Sequence, residues 1–474
     1  MQRRAIMSSD HSNPKNRLIS LLALLVCIRV LFAVVIWSIN GQSGFFHPDS
    51  AYYIEVARNM LHGSFSVAGI PEIFRTPGYP ALLIPAIAFH HVVSIALIEN
   101  FLLCAVSAWF IWKIVGELLP ESNAAFWAVL LYCFEPMGIL FSEKIGTETL
   151  FTTVLLLFVW IFLRYLREPG FQNLILAALI LGCATYVRPV TMYQPLWLAP
   201  VLFFFPRSLP RMQSTVRTGA FLIMFALSLA PWVIRNAVVA DYKGFSSTGD
   251  SDLYFYCAAA VQAQLEHKNL VQEQNEMGYN SQQRYLALHP EQRSWSPGQS
   301  ARFFRVAAKN VLLRNPGTYA ALHGRGCLIV MFDPGATELM KIVRLYPEFG
   351  GLLSRALTEG LIRTTLWLIR EYPVSAVLLL LLGAVLAMYY IFAIAGLRQA
   401  PFDAGFVLVA LFFYFVLISG LPGAVVRYRV PIMPLVCICA GIGIAHWRSK
   451  KLVSAEVTAA KQGKVQPPFM VFPR

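Results

Sequence analysis

The feature that most limits the possible folds of this chain is a repeated run of about 20 apolar residues. Of its 474 residues, 57% are hydrophobic and only 14% are charged, a composition that soluble domains rarely show. Because only helices and closed barrels satisfy their backbone polar groups in lipid, runs of this length predict membrane-spanning helices. The sequence therefore predicts an all-α polytopic membrane protein with about 10–11 transmembrane helices.

Ten apolar runs define the predicted spans, and interfacial helices with a mostly helical extracytoplasmic segment complete the predicted fold. The first run is too long for the hydrophobic part of a signal peptide and has no small-residue cleavage site, so we predict that it is retained as a span. The runs lie near residues 18–39, 94–116, 122–141, 148–166, 171–187, 190–206, 217–235, 373–397, 403–421 and 430–446.

Basic residues beside the spans predict which ends face the cytoplasm, because cytoplasmic flanks are enriched in Lys and Arg. The short segment 79–89 decides whether these flanks agree. Eleven helical residues extend only about 17 Å against a hydrocarbon core of about 30 Å, and two prolines interrupt the segment. We therefore predict an interfacial or re-entrant helix at 79–89. All basic flanks then lie on one side, and both termini are predicted to be cytoplasmic.

This topology divides the chain into five predicted parts. They are a cytoplasmic tail at 1–17, a transmembrane module at 18–236 with external loops 40–93 and 142–147, an extracytoplasmic domain at 237–372, C-terminal transmembrane helices at 373–446, and a cytoplasmic tail at 447–474.

The net charge of +14 would suggest a nucleic-acid partner in a soluble protein. Here the basic residues flank spans, so membrane topology explains the charge and no nucleic acid is expected. Most of the eight cysteines lie inside apolar runs and are interpreted as small core residues. Cys257 and Cys327 lie in the long polar segment, and whether they form a disulfide stays open.

The first external loop carries more chemistry than a connector needs. Asp49 follows Pro48 and precedes a stretch with helical spacing. It can cap this helix, as Asp often does. It can also act as a general base at the membrane surface, and the two roles are compatible.

The same loop ends in a turn, Arg75-Thr76-Pro77-Gly78-Tyr79-Pro80, that presents Arg75 at the level of lipid headgroups. One interpretation is snorkelling toward anionic lipid. The other is binding of a lipid phosphate, for which a planar guanidinium is well suited.

A second external loop contains the acids Glu143 and Glu148, with Lys144 between them. Two carboxylates can bind a divalent metal, but no histidine or third acid lies nearby in the sequence. We therefore favour orientation of sugar or acceptor hydroxyls; no cofactor is expected, and a divalent metal stays open. Three further arginines, Arg188, Arg427 and Arg429, lie at predicted external span ends and can surround a phosphate together with Arg75.

In order and spacing these motifs resemble the C-type integral-membrane glycosyltransferases, in the branch of the protein O-mannosyltransferases and aminoarabinose transferases. The resemblance covers most of residues 18–446. It rests on the motifs Pro48-Asp49-Ser50-x-Tyr52-Tyr53, Arg75-x-Pro77-Gly78-Tyr79-Pro80, Arg188-Pro189, Pro231-Trp232-x-x-Arg235-Asn236 and Arg427-Tyr428-Arg429-x-Pro431.

The resemblance implies an inverting enzyme that takes a sugar from a polyprenyl-phosphate donor on the non-cytoplasmic face, with 18–236 as its catalytic module. By position, Asp49 matches the catalytic acid and Glu148 the acid after the third span. Arg75 and Arg188 match basic residues that contact the lipid phosphate. We assign Arg427 and Arg429 to the phosphate as well. Substrate binding is assigned to Tyr53, Glu143, Lys144 and Glu148. The single acid at Asp49 and the lack of a large extra domain depart from the O-mannosyltransferases and argue against a protein acceptor.

A transporter or flippase of lipid-linked sugars is the alternative, since it would share the hydrophobicity and the external arginines. Transporters often show two related halves and polar breaks at mid-membrane, and this sequence shows neither clearly. A structural membrane subunit is a third hypothesis, and the predicted cluster of charged residues speaks against it. The expected partners are the lipid-linked donor, a lipid, glycan or protein hydroxyl acceptor, and membrane lipid. The expected location is a bacterial plasma membrane.

Overall fold

The computed structural model describes residues 13–120, 122–206, 208–345, 355–356 and 359–461, with side chains described as far as Lys451. Helices dominate this part of the chain, as the apolar runs predicted. In order, the α-helices are α1 Pro14–Asn40, α2 Ser50–Leu61, α3 Gly78–Leu82, α4 Ile84–Ala88, α5 Val92–Leu118, α6 Ala124–Cys133, α7 Pro136–Ser142, α8 Glu148–Arg167, α9 Phe171–Val187, α10 Gln194–Phe204, α11 Arg211–Ala240, α12 Thr248–Asp252, α13 Ala259–Leu265, α14 Leu270–Glu276, α15 Gln282–Leu288, α16 Pro297–Arg314, α17 Pro316–Phe332, α18 Ala336–Ile342, α19 Leu361–Glu371, α20 Pro373–Leu397, α21 Phe402–Ser419 and α22 Met433–Lys461.

Shorter elements connect these helices. A π-helical segment, Leu253–Ala258, joins α12 to α13. The strands β1 (Ser66–Val67) and β2 (Ile70–Pro71) form a small antiparallel hairpin in the first long loop. The 3₁₀ helices are Gly41–Phe45, Pro189–Tyr193, Pro290–Ser294 and Val426–Ile432.

Seven helices in the described residues are long and apolar enough to cross a membrane, or eight if the bent pair α6 and α7 is one span. The chain is thus an integral, multi-pass, all-α membrane protein. Two further predicted spans are shorter as helices: α9 has 17 residues and α10 only 11, because a 3₁₀ turn occupies the start of the 190–206 run. The seven passing segments are Pro14–Phe45, Val92–Leu118, Glu148–Arg167, Arg211–Ala240, Pro373–Leu397, Phe402–Ser419 and Val426–Lys451.

The segment 79–89 forms two helices of five residues, α3 and α4, that meet at Leu83. Neither is long enough to cross a hydrocarbon core of about 30 Å, in agreement with the prediction that this segment does not span. Its Tyr79, Leu83 and Ile87 instead pack in an apolar cluster with Phe45 and Met137. The first long loop is therefore a packed part of the molecule.

The main core lies where the most enclosed helices, α8 and α22, pack against α5, α6, α9 and α20. Both helices begin near the same end of the bundle, because the 3₁₀ helix before α22 packs on α8. The polar residues at these two helix starts are consequently neighbours, although they are almost 280 residues apart in the sequence.

The predicted 237–372 domain is divided in its packing. Its start lies inside α11, which continues to Ala240. The aromatic residues of the π-helical segment and α16 form a separate small core, whereas α17 packs along α21, with His323 hydrogen-bonded to the carbonyl of Leu417 at 2.9 Å. Cys257 and Cys327 are free thiols.

The chain termini lie partly outside the described residues. Of the predicted cytoplasmic tails, residues 1–12 and 462–474 are not described, and the last helix continues through the start of the 447–474 tail to Lys461.

Candidate active site

Asp49 lies at the start of α2, as a capping residue would, but its side chain makes no capping hydrogen bond. One carboxylate oxygen instead accepts a hydrogen bond from Arg75 at 2.7 Å, and the other accepts one from Arg427 at 2.9 Å. His47 Nδ1 lies 3.5 Å from the second oxygen. The sequence left capping and substrate chemistry open for Asp49, and its contacts favour a role among the charged groups.

Arg427 joins two carboxylates that are far apart in the sequence. Its Nη1 donates to Asp49, and its Nε donates to Glu148, which is only 2% exposed. Arg188 donates to the same Glu148 oxygen at 3.2 Å. Three guanidinium groups and two carboxylates thus form one network with a formal charge of +1, which we call the arginine cluster. Its members are Asp49, Arg75, Glu148, Arg188 and Arg427.

Backbone contacts between loops hold this cluster together. Thr76 donates its hydroxyl to the carbonyl of Val187 at 3.1 Å, directly before Arg188. A Cβ at Gly78 would lie 2.7 Å from the carbonyl oxygen of Tyr186, so only glycine permits this close approach. The turn after Arg75 is consequently fixed against the end of α9.

A second set of contacts ties the first external loop to the second. Ser50 donates its hydroxyl to the carbonyl of Ile145 at 2.6 Å, and the amide of Ile145 donates to Phe45 at 3.0 Å. These bonds bring the start of α2, which carries Asp49, next to the start of α8, which carries Glu148.

Aromatic rings cover the guanidinium groups. Arg75 lies over Tyr52 at 4.5 Å and over Tyr53 at 5.3 Å from the ring centres. Arg188 lies over Phe151 at 5.8 Å and over Tyr428 at 6.0 Å from the ring centres. Such stacking orients the planar groups and limits their hydration, which strengthens their attraction for an anion.

The charges around Asp49 determine its protonation. Burial by itself would raise the pKa of Asp49, but the hydrogen bond with His47 and the charges of Arg427 and Arg75 outweigh burial and hold the pKa well below its usual range. Asp49 is therefore a carboxylate at any physiological pH. While both arginines contact it, it is a weak base.

Two predicted site residues point elsewhere. Arg429 is two positions after Arg427, yet it is 2% exposed and donates to the carbonyls of Val330 and Met331 at 3.0 and 3.1 Å. Lys144 donates to the carbonyl of Gly44. The structure therefore brings neither side chain into the arginine cluster.

Glu143 is fully buried, and neither of its carboxylate oxygens has a hydrogen-bond partner. Burial raises its pKa to about 8, against a smaller opposing effect of the Arg29 and Lys144 charges, so Glu143 is mostly protonated at neutral pH. Although the two acids are only five positions apart, Glu143 does not share the surroundings of Glu148.

The predicted acids do not form a metal site. Asp49 and Glu148 are each engaged by two arginines, a donor set that does not fit a divalent cation. Among the residues that the structure describes, no group of three or more His, Cys, Asp or Glu is arranged to hold a metal ion.

Two residues join the site without a role assigned from the sequence. His47 lies 3.0 Å from Arg427, and its position two residues before Asp49 was a usable local signal. Asp252, at the end of α12, lies near enough to Asp49 for the two charges to repel. It is about 200 residues away in an ordinary polar stretch, so the sequence offered no signal for it.

Part of the chain matches a known protein family. Residues 78–234, a third of the chain, match the family described as dolichyl-phosphate-mannose-protein mannosyltransferase. No curated protein sequence matches the chain.

Among solved structures, the chain is similar to the archaeal oligosaccharyltransferase AglB from Archaeoglobus fulgidus, in complex with an inhibitory peptide and a dolichol-phosphate. The identity is 12% and the TM-score 0.49, over 96% of this chain and 52% of AglB. It is also similar to ArnT from Cupriavidus metallidurans bound to undecaprenyl phosphate, with 13% identity and a TM-score of 0.43 over 92% of this chain and 63% of ArnT. The chain spans about half the length of AglB, and at these scores neither likeness places a residue or a substrate on it.

Proposed function

We propose that this chain is an inverting glycosyltransferase of the C-type integral-membrane kind, and its match to a mannosyltransferase family over residues 78–234 supports this proposal. It moves a sugar from a polyprenyl-phosphate donor to a hydroxyl group of a lipid, glycan or protein. The observation that carries this proposal is the arginine cluster, in which three guanidinium groups converge on two carboxylates beside aromatic rings. This arrangement suits a phosphate with an adjacent polar group.

In the proposed reaction, the acceptor oxygen attacks the anomeric carbon while the bond from that carbon to the phosphate oxygen breaks. The electron pair leaves with the polyprenyl phosphate, and the acceptor proton passes to Asp49. Arg75, Arg188 and Arg427 offset the negative charge that grows on the leaving phosphate. Since phosphate is a good leaving group, alignment, charge stabilisation and a base are the tasks left to the protein.

The donor itself activates the base in this proposal. Without donor, Asp49 accepts hydrogen bonds from Arg75 and Arg427. A bound phosphate competes for the same N–H groups, which weakens their hold on Asp49 and raises its pKa toward the range of a useful base. Asp49 therefore becomes an effective base only when the donor is in place.

The remaining predicted residues receive roles according to their contacts. Glu148 orients Arg188 and Arg427, and Tyr53 packs on Arg75 at the wall of the site. Lys144 supports the second external loop by donating to Gly44, and Arg429 anchors the segment that presents Arg427.

We further propose that the site faces the extracytoplasmic side of a bacterial plasma membrane and that both termini are cytoplasmic. Helix α8 begins at the cluster with Glu148 and ends at Arg164 and Arg167, about 30 Å away at 1.5 Å per residue. Helix α22 likewise runs from the cluster toward Arg448 and Lys451. Basic residues at the far ends of both helices support a cytoplasmic assignment for that side. The predicted parts 1–17, 18–236, 237–372, 373–446 and 447–474 remain our proposed division of the chain.

The test compares envelope lipids, glycans and proteins by mass spectrometry in the source organism with and without this protein. We expect one component to lose the mass of a sugar in its absence and to regain it with the wild-type chain. Asp49→Asn should not restore that mass, because the base is lost; general-base help contributes about 10²–10⁴-fold to a rate.

Asp403→Asn, a carboxylate change in the first turn of α21, is the matched control and should restore the mass. Full restoration by Asp49→Asn at equal protein level would remove Asp49 from the catalytic role. A lipid-linked sugar that accumulates untransferred on one side of the membrane, with no sugar missing from any acceptor, would favour the transporter.

A further inference from the structure

Among the described residues, Asp252 differs from Asp49 and Glu148 in having no hydrogen-bond or ion-pair partner. It is the last residue of α12, and its side chain is half-buried. Within the described part of the chain, no hydrogen bond or ion pair engages its carboxylate. An acid that loses hydration without a compensating contact carries a free-energy cost, which a bound hydrogen-bond donor would offset.

The backbone before Asp252 is tied to the turn that carries Arg75. Ser246 and Thr248 both donate their hydroxyl groups to the carbonyl of Phe74 at 2.6 Å. The amide of Ser247 donates to Ile73 at 2.9 Å. Because Phe74 directly precedes Arg75, these bonds place α12 at the edge of the site.

Asp250, in the same helix, has the hydrogen bonds of an acid with a structural role. Its carboxylate accepts two hydrogen bonds from Arg305, at 2.7 and 2.9 Å, and one from Tyr242 at 2.9 Å. Asp250 is thus fully used in holding α12 to α16. Asp252 lies two positions later and makes none of these bonds.

Aromatic side chains lie close to Asp252. The π-helical segment Leu253–Ala258 starts directly after it and carries Tyr256, whose hydroxyl lies 2.8 Å from that of Tyr279. The ring of Tyr256 also packs so closely on Gly423 that a Cβ there would lie 2.8 Å from it, which holds the segment to the loop before Tyr428. Short π-helical segments of this kind occur often at functional sites.

The electrostatics agree with this placement. Burial and then the negative charge of Asp49 raise the pKa of Asp252 to about 7. The other titratable groups that interact with it are Tyr256, Cys257, Tyr279 and Tyr428, and none of these is a cation. The arginines therefore neutralise Asp49 and leave Asp252 available.

We propose that Asp252 is a further substrate-binding residue of this site, accepting hydrogen bonds from hydroxyl groups of a sugar ring held between it and Asp49, beside Tyr279 and Tyr428. This inference rests on the proposed function. A carboxylate offers several acceptor sites to hydroxyl donors, and the tyrosine rings offer flat surfaces with polar edges. The sugar is either the one being transferred or part of the acceptor, since both carry the same chemistry.

The experiment measures transfer by the full-length protein in liposomes, using the donor and acceptor that the mass spectrometry identifies. Asp252→Asn should lower kcat/KM by about 10- to 100-fold, the effect of weakening a hydrogen bond to a charged group. Asp252→Glu keeps the carboxylate and should recover part of that loss. Glu291→Gln, an exposed acid in the same polar region, should retain wild-type kcat/KM.

Hydrolysis of the donor in the absence of acceptor distinguishes the two sources of the sugar. If hydrolysis and transfer both fall in Asp252→Asn, the residue binds the sugar of the donor. If transfer alone falls and the KM for the acceptor rises, it binds the acceptor. Both outcomes support the proposal.

Wild-type kcat/KM for both substrates in Asp252→Asn would overturn it. A metal requirement would also overturn it: EDTA would stop wild-type transfer, Mn²⁺ would restore it, and Asp252→Asn would abolish that restoration. Asp252 would then bind a cation. Absence of transfer by the wild-type chain itself would instead remove the proposed function.

Discussion

Asp49 and Asp252 are close enough for their charges to repel, yet Asp49 is held by two arginines, whereas no hydrogen bond or ion pair within the described residues engages Asp252. The charges around Asp49 hold its pKa well below the usual range, whereas burial and the charge of Asp49 raise the pKa of Asp252 to about 7. Two acids in one site are thereby given different properties by their surroundings. In the proposed mechanism, Asp49 becomes an effective base when a phosphate competes for its arginines. Asp252 can accept hydrogen bonds from neutral hydroxyl groups without such competition.

The largest effect is expected on substitution of Arg427, which contacts both Asp49 and Glu148. Arg427→Lys keeps the positive charge but cannot contact Asp49 and Glu148 at once, because an ammonium lacks the planar fork. We expect kcat/KM for transfer to fall by about 100-fold, the typical effect of losing one charge-stabilising donor. Transfer assays in liposomes measure this.

Arg429→Lys is the matched control, since Arg429 donates to the backbone carbonyls of Val330 and Met331 and to neither Asp49 nor Glu148. It should lower thermal stability and leave kcat/KM of the folded protein within about threefold. Equal loss of kcat/KM in the two variants would mean that the bridge between the acids has no special role.

A smaller effect is expected in the pH dependence. The ionised form of Asp252 accepts hydroxyl hydrogen bonds, and its population grows as pH rises through about 7. In the wild type, kcat/KM should therefore rise with pH by about tenfold per unit below 7 and level off above it. Asp49 adds no change in this range, because its pKa is well below it.

Asp252→Asn should remove this rise and leave a flat profile from about pH 5.5 to 8, whereas Glu291→Gln should retain it. Persistence of the rise in Asp252→Asn would assign the titration to another group and weaken the contrast between the two acids.

The smallest expected effect is on thermal stability, and its sign differs between the two acids. The pKa of Asp252 is higher in the folded protein than the unfolded value of about 3.9. Its ionisation therefore destabilises the folded state increasingly as pH rises from about 4 through 7. The pKa of Asp49 is lower in the folded protein, so its stabilisation is fully present above about pH 4 and is lost in acid.

Asp252→Asn should raise Tm by about 1–3 °C at pH 8 and by less at pH 5, and Asp49→Asn should lower Tm at both. Thermal unfolding of the detergent-solubilised protein measures these shifts. A decrease of Tm at pH 8 in Asp252→Asn would show that Asp252 stabilises the fold through contacts rather than straining it.

Several site residues could be predicted because their signals are local. Asp49 follows a proline at a helix start, Arg75 precedes a Pro-Gly turn, and Arg188 precedes a proline at a span end. The sequence also showed that segment 79–89 is too short to span, and this predicted that these loops lie on one face. The structure brings Asp49, Arg75, Glu148, Arg188 and Arg427 into contact.

Other assignments depended on the direction in which a side chain points, which the spacing of residues in the sequence does not show. Arg427 and Arg429 share one 3₁₀ helix, but only the first points into the cluster. Glu143 and Glu148 share one loop, but only the second meets arginines. Neighbours in a tight turn can point to opposite sides, so proximity in sequence did not ensure a shared site.

By itself, the sequence determined that this protein is a helical, multi-pass membrane protein with charged loops gathered toward one side. The length of an apolar run and the position of basic residues are local properties, and the thickness of a bilayer converts them directly into spans. Only the tertiary structure decided which acids are neutralised. That outcome depends on contacts such as Ser246 with Phe74 and Arg427 with Glu148, which join residues more than 170 positions apart.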